Sequence, residues 1–318
     1  FPLLISLIEE PNLFEKEFIY CQKESLNNVI KAKEHSFNIA FNNIKKILYK
    51  EHPYSFNCNG DEESINLIKY DDILKEYQSF RKRNKILLTN SKTCKFSTLK
   101  DIKTCIFDKK AGKLQPTLII KNKNNYIEHY SNSKQITIII GSQTCPHKSK
   151  DSISLKILES YLSYGMSSLL FKVFRENNGL TYDSGVFHPT RKFNAPFLIY
   201  LSVSENNASF TFSLLLSVWN DLLSKELTDN ELSLAKLKLK RSRLHNYRTL
   251  EEITFRKVRL IGLEMDPFYD INVENYINNI KSEDILNISN KYLKYPCISL
   301  SGRKQICKEL KEIWRNKY

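Results

Sequence analysis

The chain has 318 residues, of which 41% are hydrophobic and 12% aromatic, and its formal net charge is +14. This length and apolar content allow a large core in about two domains and exclude an intrinsically disordered chain. No apolar run approaches the ~20 residues that a membrane-spanning helix needs. Because the chain begins with Phe1 rather than Met, we expect it to be part of a longer protein.

The seven cysteines form no Cys-x-x-Cys pair, and their number is odd. A disulfide framework or a structural zinc site is therefore disfavoured, and a reducing compartment is the simpler interpretation. The positive charge is compatible with nucleic acid, an anionic membrane or an acidic partner. Abundant Lys and Asn beside scarce Gly and Ala favour a simpler explanation, in which the lysines cover solvated surfaces.

The first part of the chain is helical in pattern and then becomes irregular. Apolar residues at helical spacing predict helix from about residue 14 to residue 50, and a further helix from Asp71 to about Phe80. A short strand is predicted at residues 86–88. Residues 91–133 are rich in Lys and Asn, which predicts an interdomain connection with one or two short strands, such as Thr117 to Ile120.

The second part of the chain alternates strand and helix patterns. It opens with a strand at residues 135–140, closed by Gly141, and one of its two long helices starts at Thr228, where Glu231 can close a capping box. The other predicted elements are helices 152–162, 167–175, 273–279 and 282–293, strands 181–187, 196–203 and 297–300, and a terminal basic helix. This order predicts an α+β fold with helices on one face of a mainly antiparallel sheet.

One run of residues in the second part combines a glycine turn, a helix start and a helix exit. It reads Tyr164-Gly165-Met166-Ser167-Ser168-Leu169-Leu170-Phe171, followed by Arg175-Glu176-Asn177-Asn178-Gly179-Leu180-Thr181-Tyr182. Gly179 would let the chain turn from helix into strand. The guanidinium of Arg175 and the phenol of Tyr182 can both donate hydrogen bonds to a carbonyl oxygen that becomes an oxyanion. The alternative is a surface helical Arg and a half-buried strand Tyr.

A second set of short motifs lies in the first part of the chain. These motifs are Phe14-Glu15-Lys16-Glu17-Phe18, His52-Pro53-Tyr54, Gly60-Asp61-Glu62-Glu63-Ser64-Ile65 and Tyr70-Asp71-Asp72-Ile73. Together with the run above, they make the chain resemble the pitrilysin/insulinase-type (M16) zinc peptidases, which include mitochondrial and stromal processing peptidases. The resemblance is ungapped over residues 14–88 and from residue 135 to the C-terminus.

The resemblance implies a fold of M16 metallopeptidase half-domains, in which helices pack on a mainly antiparallel sheet. Residues 1–110 are then the remnant of an N-terminal half, residues 111–133 a linker and residues 134–318 the C-terminal half. In this family the Arg and Tyr of the C-terminal half reach the substrate across a closed chamber, and Arg175 and Tyr182 match their spacing.

Some positions depart from the family pattern. Ser55 replaces the usual Gly after His-Pro-Tyr, the Gly-Gly-Gly turn is Ser163-Tyr164-Gly165, and Leu169 replaces an Arg.

The resemblance also implies a zinc motif, His-x-x-Glu-His, which this chain lacks. None of its six His forms an i, i+4 pair. The family register places the third zinc ligand on Asn28, whose neutral amide is a poor ligand. A register slip would bring Glu24 to this place instead. We therefore expect no cofactor in this chain and Zn in a partner half or subunit.

The favoured hypothesis is a zinc-lacking half or subunit that completes a substrate chamber with a zinc-bearing half. Arg175 and Tyr182 would contact the peptide substrate, and the chain alone would be inactive as an enzyme. Two alternatives stay open. One is a degenerate structural M16-like core subunit without proteolysis, and the other is a fragment of an active M16 zinc metalloendopeptidase whose zinc motif lies upstream. The resemblance implies an organelle, the mitochondrion or the plastid; otherwise the compartment is an unknown intracellular one.

The densest positive patch is the series from Lys236 to Arg248. A basic helix face could meet nucleic acid or anionic lipid. Leucines interleave the cations, and no RNA-binding aromatic motif or phosphate-binding Gly loop accompanies them. A solvated face over a leucine core is therefore the favoured interpretation, and nucleic-acid binding is disfavoured.

Overall fold

The structure is a computed structural model that describes residues 2–83, 88, 125–181, 183–245 and 248–318. The chain divides into two compact units. The first combines residues 1–34 with residues 57–115, and the second combines residues 35–56 with residues 116–318. The strands predicted at 86–88 and 117–120 fall largely or wholly outside the described residues. The division of the chain at residues 110 and 133 stays a prediction.

The N-terminal part of the chain is helical where helix was predicted. Its helices are α1 (Pro2–Glu9), α2 (Glu15–Glu34), α3 (Ser36–Tyr49), α4 (Glu62–Leu67) and α5 (Tyr70–Lys82), of which α1 and α4 were not predicted. The helix expected over residues 14–50 is interrupted at His35, whose backbone is extended, with ψ at 114°. This break separates α2, in the first unit, from α3, in the second.

In the first unit, α2 packs on the short helix α4. The Gln22 side-chain amide lies 2.9 Å from the carbonyl oxygen of Ile65 and 3.1 Å from that of Ile68. At the other end of α4, the Asp61 carboxylate accepts the backbone N–H of Ser64 at 2.8 Å. Both ends of a six-residue helix thus receive side-chain hydrogen bonds, which a helix too short to be stable alone requires.

The second unit follows the predicted order of strands and helices. Its elements are β1 (Tyr126–Tyr130), β2 (Gln135–Gln143), α6 (Asp151–Ser163), β3 (Asp183–Phe187), β4 (Pro196–Ser204), α7 (Ala208–Ser224), α8 (Asp229–His245), α9 (Leu250–Gly262), α10 (Tyr269–Asn279), α11 (Ser282–Tyr292), β5 (Cys297–Gly302) and α12 (Lys304–Lys317). The capping box at α8 is confirmed, since the Glu231 carboxylate accepts the Thr228 N–H at 2.9 Å and the Glu231 N–H donates to the Thr228 hydroxyl at 3.3 Å. Helix α9 was not predicted.

Within the described residues, the strands form one five-stranded sheet in the order β1-β5-β2-β4-β3. Only β1 and β5 are parallel among these neighbours, and the other pairs are antiparallel. The predicted α+β class with a mainly antiparallel sheet is confirmed. Strand β2 does not end at Gly141 but continues to Gln143. A Cβ at position 141 would lie 2.2 Å from the Phe197 carbonyl oxygen, so the close approach of β4 requires glycine there.

The main hydrophobic core lies on one face of this sheet. Ile138 points to this face and lies opposite Leu201 of β4 and Leu300 of β5. Helices α6, α7, α8, α10, α11 and α12 contribute buried apolar side chains to the same cluster. Trp219 of α7 is fully buried, and its indole N–H donates to the Leu293 carbonyl oxygen at 3.1 Å.

Helix α3 covers the opposite face of the sheet, where no helix was predicted. Its side chains Ala40, Ile44 and Leu48 form a second cluster with Ile139 of β2 and Leu198 of β4. Strand β2 is therefore buried on both faces, which agrees with its nearly continuous apolar sequence over residues 136–140.

Candidate functional site

The turn that follows α6 is built around Gly165. This residue has φ at +73°, and nothing lies within 4 Å of the place where its Cβ would be. Glycine is therefore favoured by the backbone conformation and not by lack of space. The Ser168 N–H donates to the Gly165 carbonyl oxygen at 3.0 Å, while the side chain of Met166 is 77% exposed. The turn thus exposes the side chain of Met166, while a backbone hydrogen bond between Ser168 and Gly165 closes the turn.

A wide helical segment, Phe171–Glu176, carries Arg175 and ends at Gly179. The Asn177 N–H donates to the Lys172 carbonyl oxygen at 2.9 Å, five residues back, which is the π-helical pattern. Gly179 has φ at +60°, and its N–H donates to the Arg175 carbonyl oxygen at 3.0 Å. This arrangement is an αL helix cap, so the predicted turn out of the helix at Gly179 is confirmed.

The side chain of Arg175 is exposed on this segment. Its guanidinium carbon lies 5.3 Å from the centroid of the Phe171 ring, one turn earlier. A cation over an aromatic face at this distance is favourable, and it restricts the rotamers of the arginine. The guanidinium of Arg175 is thus positioned against Phe171 on the segment that follows the turn.

Tyr182 lies outside the described residues, so its pairing with Arg175 stays a prediction. The residue before it, Thr181, is buried, and its hydroxyl lies 2.9 Å from the Asp183 carbonyl oxygen and 2.5 Å from that of Ser202. The same hydroxyl accepts the Asp183 N–H at 3.2 Å. Thr181 therefore anchors the start of β3 to β4. This role was not predicted from the sequence, although a Thr between a helix exit and a strand is a usable signal.

The His-Pro-Tyr motif forms a structural turn after α3. Nδ1 of His52 accepts the N–H of Tyr54 at 3.1 Å, and the two rings meet edge to face with centroids 4.7 Å apart. Arg191 places its guanidinium carbon 4.6 Å from the centroid of the Tyr54 ring. Ser55, which replaces the family glycine, is buried and donates its hydroxyl to the His52 carbonyl oxygen at 2.8 Å. These contacts stabilise the turn, so the motif has a structural role here.

Asn28 is exposed on α2, beside the buried Val29, and Glu24 is exposed on the same helix. Over the part of the chain that the structure describes, no three His, Cys, Asp or Glu side chains are grouped so that they could hold a metal ion. An exposed neutral amide without such a group does not fit a zinc site. We therefore assign no step of zinc chemistry to this chain.

The basic series on α8 is largely engaged with α10 and the residues that follow it. The Lys236 ammonium donates to the Asn278 carbonyl oxygen at 2.9 Å, and Arg243 lies 2.6 Å from the Asp270 carboxylate. Leu232 and Leu239 are buried in the core, as expected of a leucine core, but Leu237 is 44% exposed. Lys236, Lys240 and Arg243 of this patch thus form a helix–helix contact with α10.

The described helices include none that is both long and apolar enough to span a membrane.

The chain is similar to known proteins over much of its length. The family model of the Peptidase M16 inactive domain matches residues 65–239. A protein of Rickettsia felis described as an uncharacterized zinc protease is 27% identical over 163 residues, which are 50% of this chain and 38% of that protein. The matched region thus spans less than half the length of this curated relative.

Three solved structures share the fold. The crystal structure of a peptidase M16 inactive domain from Pseudomonas fluorescens has a TM-score of 0.80 at 18% identity, covering 95% of this chain and 74% of that one. A protease from Helicobacter pylori has a TM-score of 0.80 at 15% identity, covering 94% and 75%. A conserved protein from Enterococcus faecalis has a TM-score of 0.74 at 11% identity, covering 89% and 67%. At these identities the structures show the fold alone, but the family model covers more than half of the 318 residues. The chain belongs to the Peptidase M16 inactive-domain family.

Proposed function

We propose that this chain is the zinc-lacking half or subunit of an M16 peptidase and that it completes a substrate chamber with a zinc-bearing half. The match to the inactive-domain family supports the non-catalytic assignment. The zinc and the chemistry that depends on it belong, in this proposal, to the partner. The present chain binds and positions the peptide.

The exposed guanidinium of Arg175 is the observation that carries the substrate-binding part of the proposal. A guanidinium offers five N–H donors in a rigid plane, so little side-chain entropy is lost when it binds a peptide carbonyl oxygen. The contact with Phe171 and the helix cap at Gly179 restrict its position further. Tyr182, seven residues later, would supply a phenolic O–H to the same carbonyl group. Donors of this kind accelerate hydrolysis when the oxygen gains negative charge.

The test is peptide turnover by the parent protein, isolated from its own cell with the partners that co-purify. We expect Arg175→Ala and Tyr182→Phe each to lower turnover by roughly ten- to a thousand-fold, the scale of a lost oxyanion donor. Lys172→Ala is the matched control, since it removes an exposed cation from the same helical segment. Unchanged turnover in the Arg175 and Tyr182 variants, or an equal loss in the control, would refute the role of the pair.

A structural subunit without proteolysis is the second candidate. The departures at Tyr164 and Leu169 in the turn, and the amide at Asn28, favour it. Zinc content and chelator-sensitive hydrolysis of the isolated parent protein separate the candidates. Zinc and activity with a separate His-x-x-Glu-His subunit support the proposal, and zinc and activity in one polypeptide support a fragment of an active protease. Absence of both supports the structural role.

The mitochondrial or plastid location implied by the resemblance is also part of the proposal. Fractionation of the source cell tests it.

A further inference from the structure

A cavity of about 350 Å³ in the second unit is lined by residues of α6, α8, α9 and α10. Arg175 does not line it, so the cavity is not formed around that member of the proposed peptide-binding pair. Its walls carry four cationic side chains, Lys156, Arg243, Arg256 and Arg259. Cations gathered from three different helices around one cavity are costly to hold together unless counter-charges or a ligand offset their repulsion.

The protein supplies carboxylates for some of these cations. Asp270 lies 2.6 Å from Arg243 and 2.8 Å from Arg256, and Glu159 lies 2.8 Å from Lys156. One carboxylate thus serves two guanidinium groups. Arg259 forms no ion pair with any residue that the structure describes, and its side chain is exposed.

Glu252 also lines the cavity, but its carboxylate is bound elsewhere. It accepts the N–H groups of Arg248 and Thr249, both at 3.0 Å, as the cap of α9. Counting Glu159, Asp270 and Glu252 against the four cations leaves an excess of one positive charge. The cavity is therefore suited to an anion and unsuited to a metal cation.

A buried histidine adds a hydrogen-bonding group without a partner. His147 lines the cavity, is 9% exposed, and has Nδ1 at 3.1 Å from the Ser152 hydroxyl. Its other nitrogen, Nε2, is buried and has no hydrogen-bond partner within the described part of the chain. Burial, followed by the nearby Arg256, lowers the pKa of His147 to about 4, so the ring is neutral at pH 7.

The neutral ring can still donate a hydrogen bond. If the Ser152 hydroxyl donates to Nδ1, the single ring proton lies on Nε2. That N–H then lacks an acceptor, which costs free energy in a buried site unless a ligand oxygen supplies one. A ligand with anionic oxygen atoms would therefore satisfy both the histidine N–H and the arginines.

We propose that this cavity is a binding site for a small phosphate-bearing anion. Arg243, Arg256 and Arg259 would contact the phosphate oxygens, and Nε2–H of His147 would donate to one of them. Arginine is the residue that best matches a phosphate geometrically, because its planar group can form two parallel hydrogen bonds. The volume allows a phosphate group and a small organic part. Phe255, which lines the cavity and is 64% exposed, offers an apolar surface for that part.

The test is isothermal titration calorimetry on the 318-residue chain, with inorganic phosphate as the probe at constant ionic strength. Chloride and acetate are the comparison anions. We expect phosphate to bind at one site per chain, and Arg259→Ala to weaken this binding by roughly tenfold or more, as the loss of a charged hydrogen bond predicts. Arg259 is the first choice because the described residues give it no ion-pair partner whose loss would disturb folding.

The matched control is Arg241→Ala, which removes an exposed cation of α8 that does not line the cavity. It should change the affinity less than twofold. An equal loss in both variants would show that only net charge matters, and phosphate binding no tighter than chloride or acetate would overturn the site.

The second measurement needs no substitution. It is the shift of the His147 Nε2 resonance in ¹⁵N spectra on addition of phosphate, and we expect such a shift. No shift at saturating phosphate would remove His147 from the site.

Discussion

The two faces of the sheet are covered in different ways. On one face, side chains such as Ile138 and Leu201 are fully buried against helices α6 to α8 and α10 to α12. On the other face, α3 covers Ile139 and Leu198. Serines of β5 share that second face, since Ser299 lies opposite Ile139 and Ser301 opposite Thr137. Within the described part of the chain, six helices thus cover the first face, whereas α3 is the helix that covers the second.

Two neighbouring residues of β2 test this difference most strongly. Ile138 and Ile139 are both fully buried, one on each face. We expect Ile138→Ala to lower the free energy of unfolding by about 4 kcal/mol and Ile139→Ala by about 2 kcal/mol. The smaller loss is expected because α3 is the one helix that the described residues place on this face, and it can shift into the space that is left. Urea unfolding of the chain measures both values. Equal losses, or a larger loss at Ile139, would show that α3 is as firmly fixed as the opposite layer.

The many-helix side also carries buried histidines, which make its stability depend on pH. His188 is buried, its Nδ1 lies 3.0 Å from the Pro196 carbonyl oxygen, and burial followed by Lys156 lowers its pKa to about 3. The unfolded histidine has a pKa of about 6.5 and takes up a proton first. The stability from the neutral folded ring is therefore complete above pH 6.5 and is lost as the pH falls toward 3.

We expect His188 alone to contribute a loss of about 2 kcal/mol in unfolding free energy between pH 7 and pH 5. The measurement is urea unfolding at several pH values in this interval, where most carboxylates stay ionised. His188→Gln should be less stable at pH 7 but should show a flatter pH dependence, with the slope due to His147 remaining. A variant with the slope of the unmodified chain would contradict the assignment.

Local patterns in the sequence predicted most elements of the second unit. The alternation of strands and helices, the capping box at Thr228 and the turn at Gly179 each depend on residues close together in the chain. The helix Leu250–Gly262 carries a comparable signal, because Glu252 closes a capping box with Thr249, and this signal was missed.

Other features depend on contacts that no local pattern contains. Helical spacing predicts α3, but it does not indicate which sheet face the helix will cover. The cavity brings together Lys156, Arg243 and Arg256, which are about 90 and 13 residues apart in sequence. Each of these cations alone is typical of a solvated helix surface. Arg175 could be singled out because its motif occupies a few consecutive residues.

The smallest expected effect concerns two buried serines, one on each side of the sheet. Ser160 of α6 donates its hydroxyl to the Ala235 carbonyl oxygen at 2.8 Å. The Ser299 hydroxyl, on the α3 face, has no hydrogen-bond partner among the residues described, although the side chain is fully buried. Loss of a buried hydrogen bond costs about 1 kcal/mol, whereas removal of a hydroxyl without a partner removes a desolvation cost.

We therefore expect Ser160→Ala to destabilise the chain by about 1 kcal/mol, and Ser299→Ala to be neutral or to stabilise it by up to about 1 kcal/mol. The two substitutions remove the same oxygen, so the cavity that each leaves is the same size and the difference reports hydrogen bonding. Urea unfolding of both variants, side by side with the unmodified chain, measures the two changes in the free energy of unfolding. A loss at Ser299 as large as that at Ser160 would mean that the Ser299 hydroxyl is hydrogen-bonded in solution. The polar strip beneath α3 would then be a satisfied part of the interface and not its weakest part.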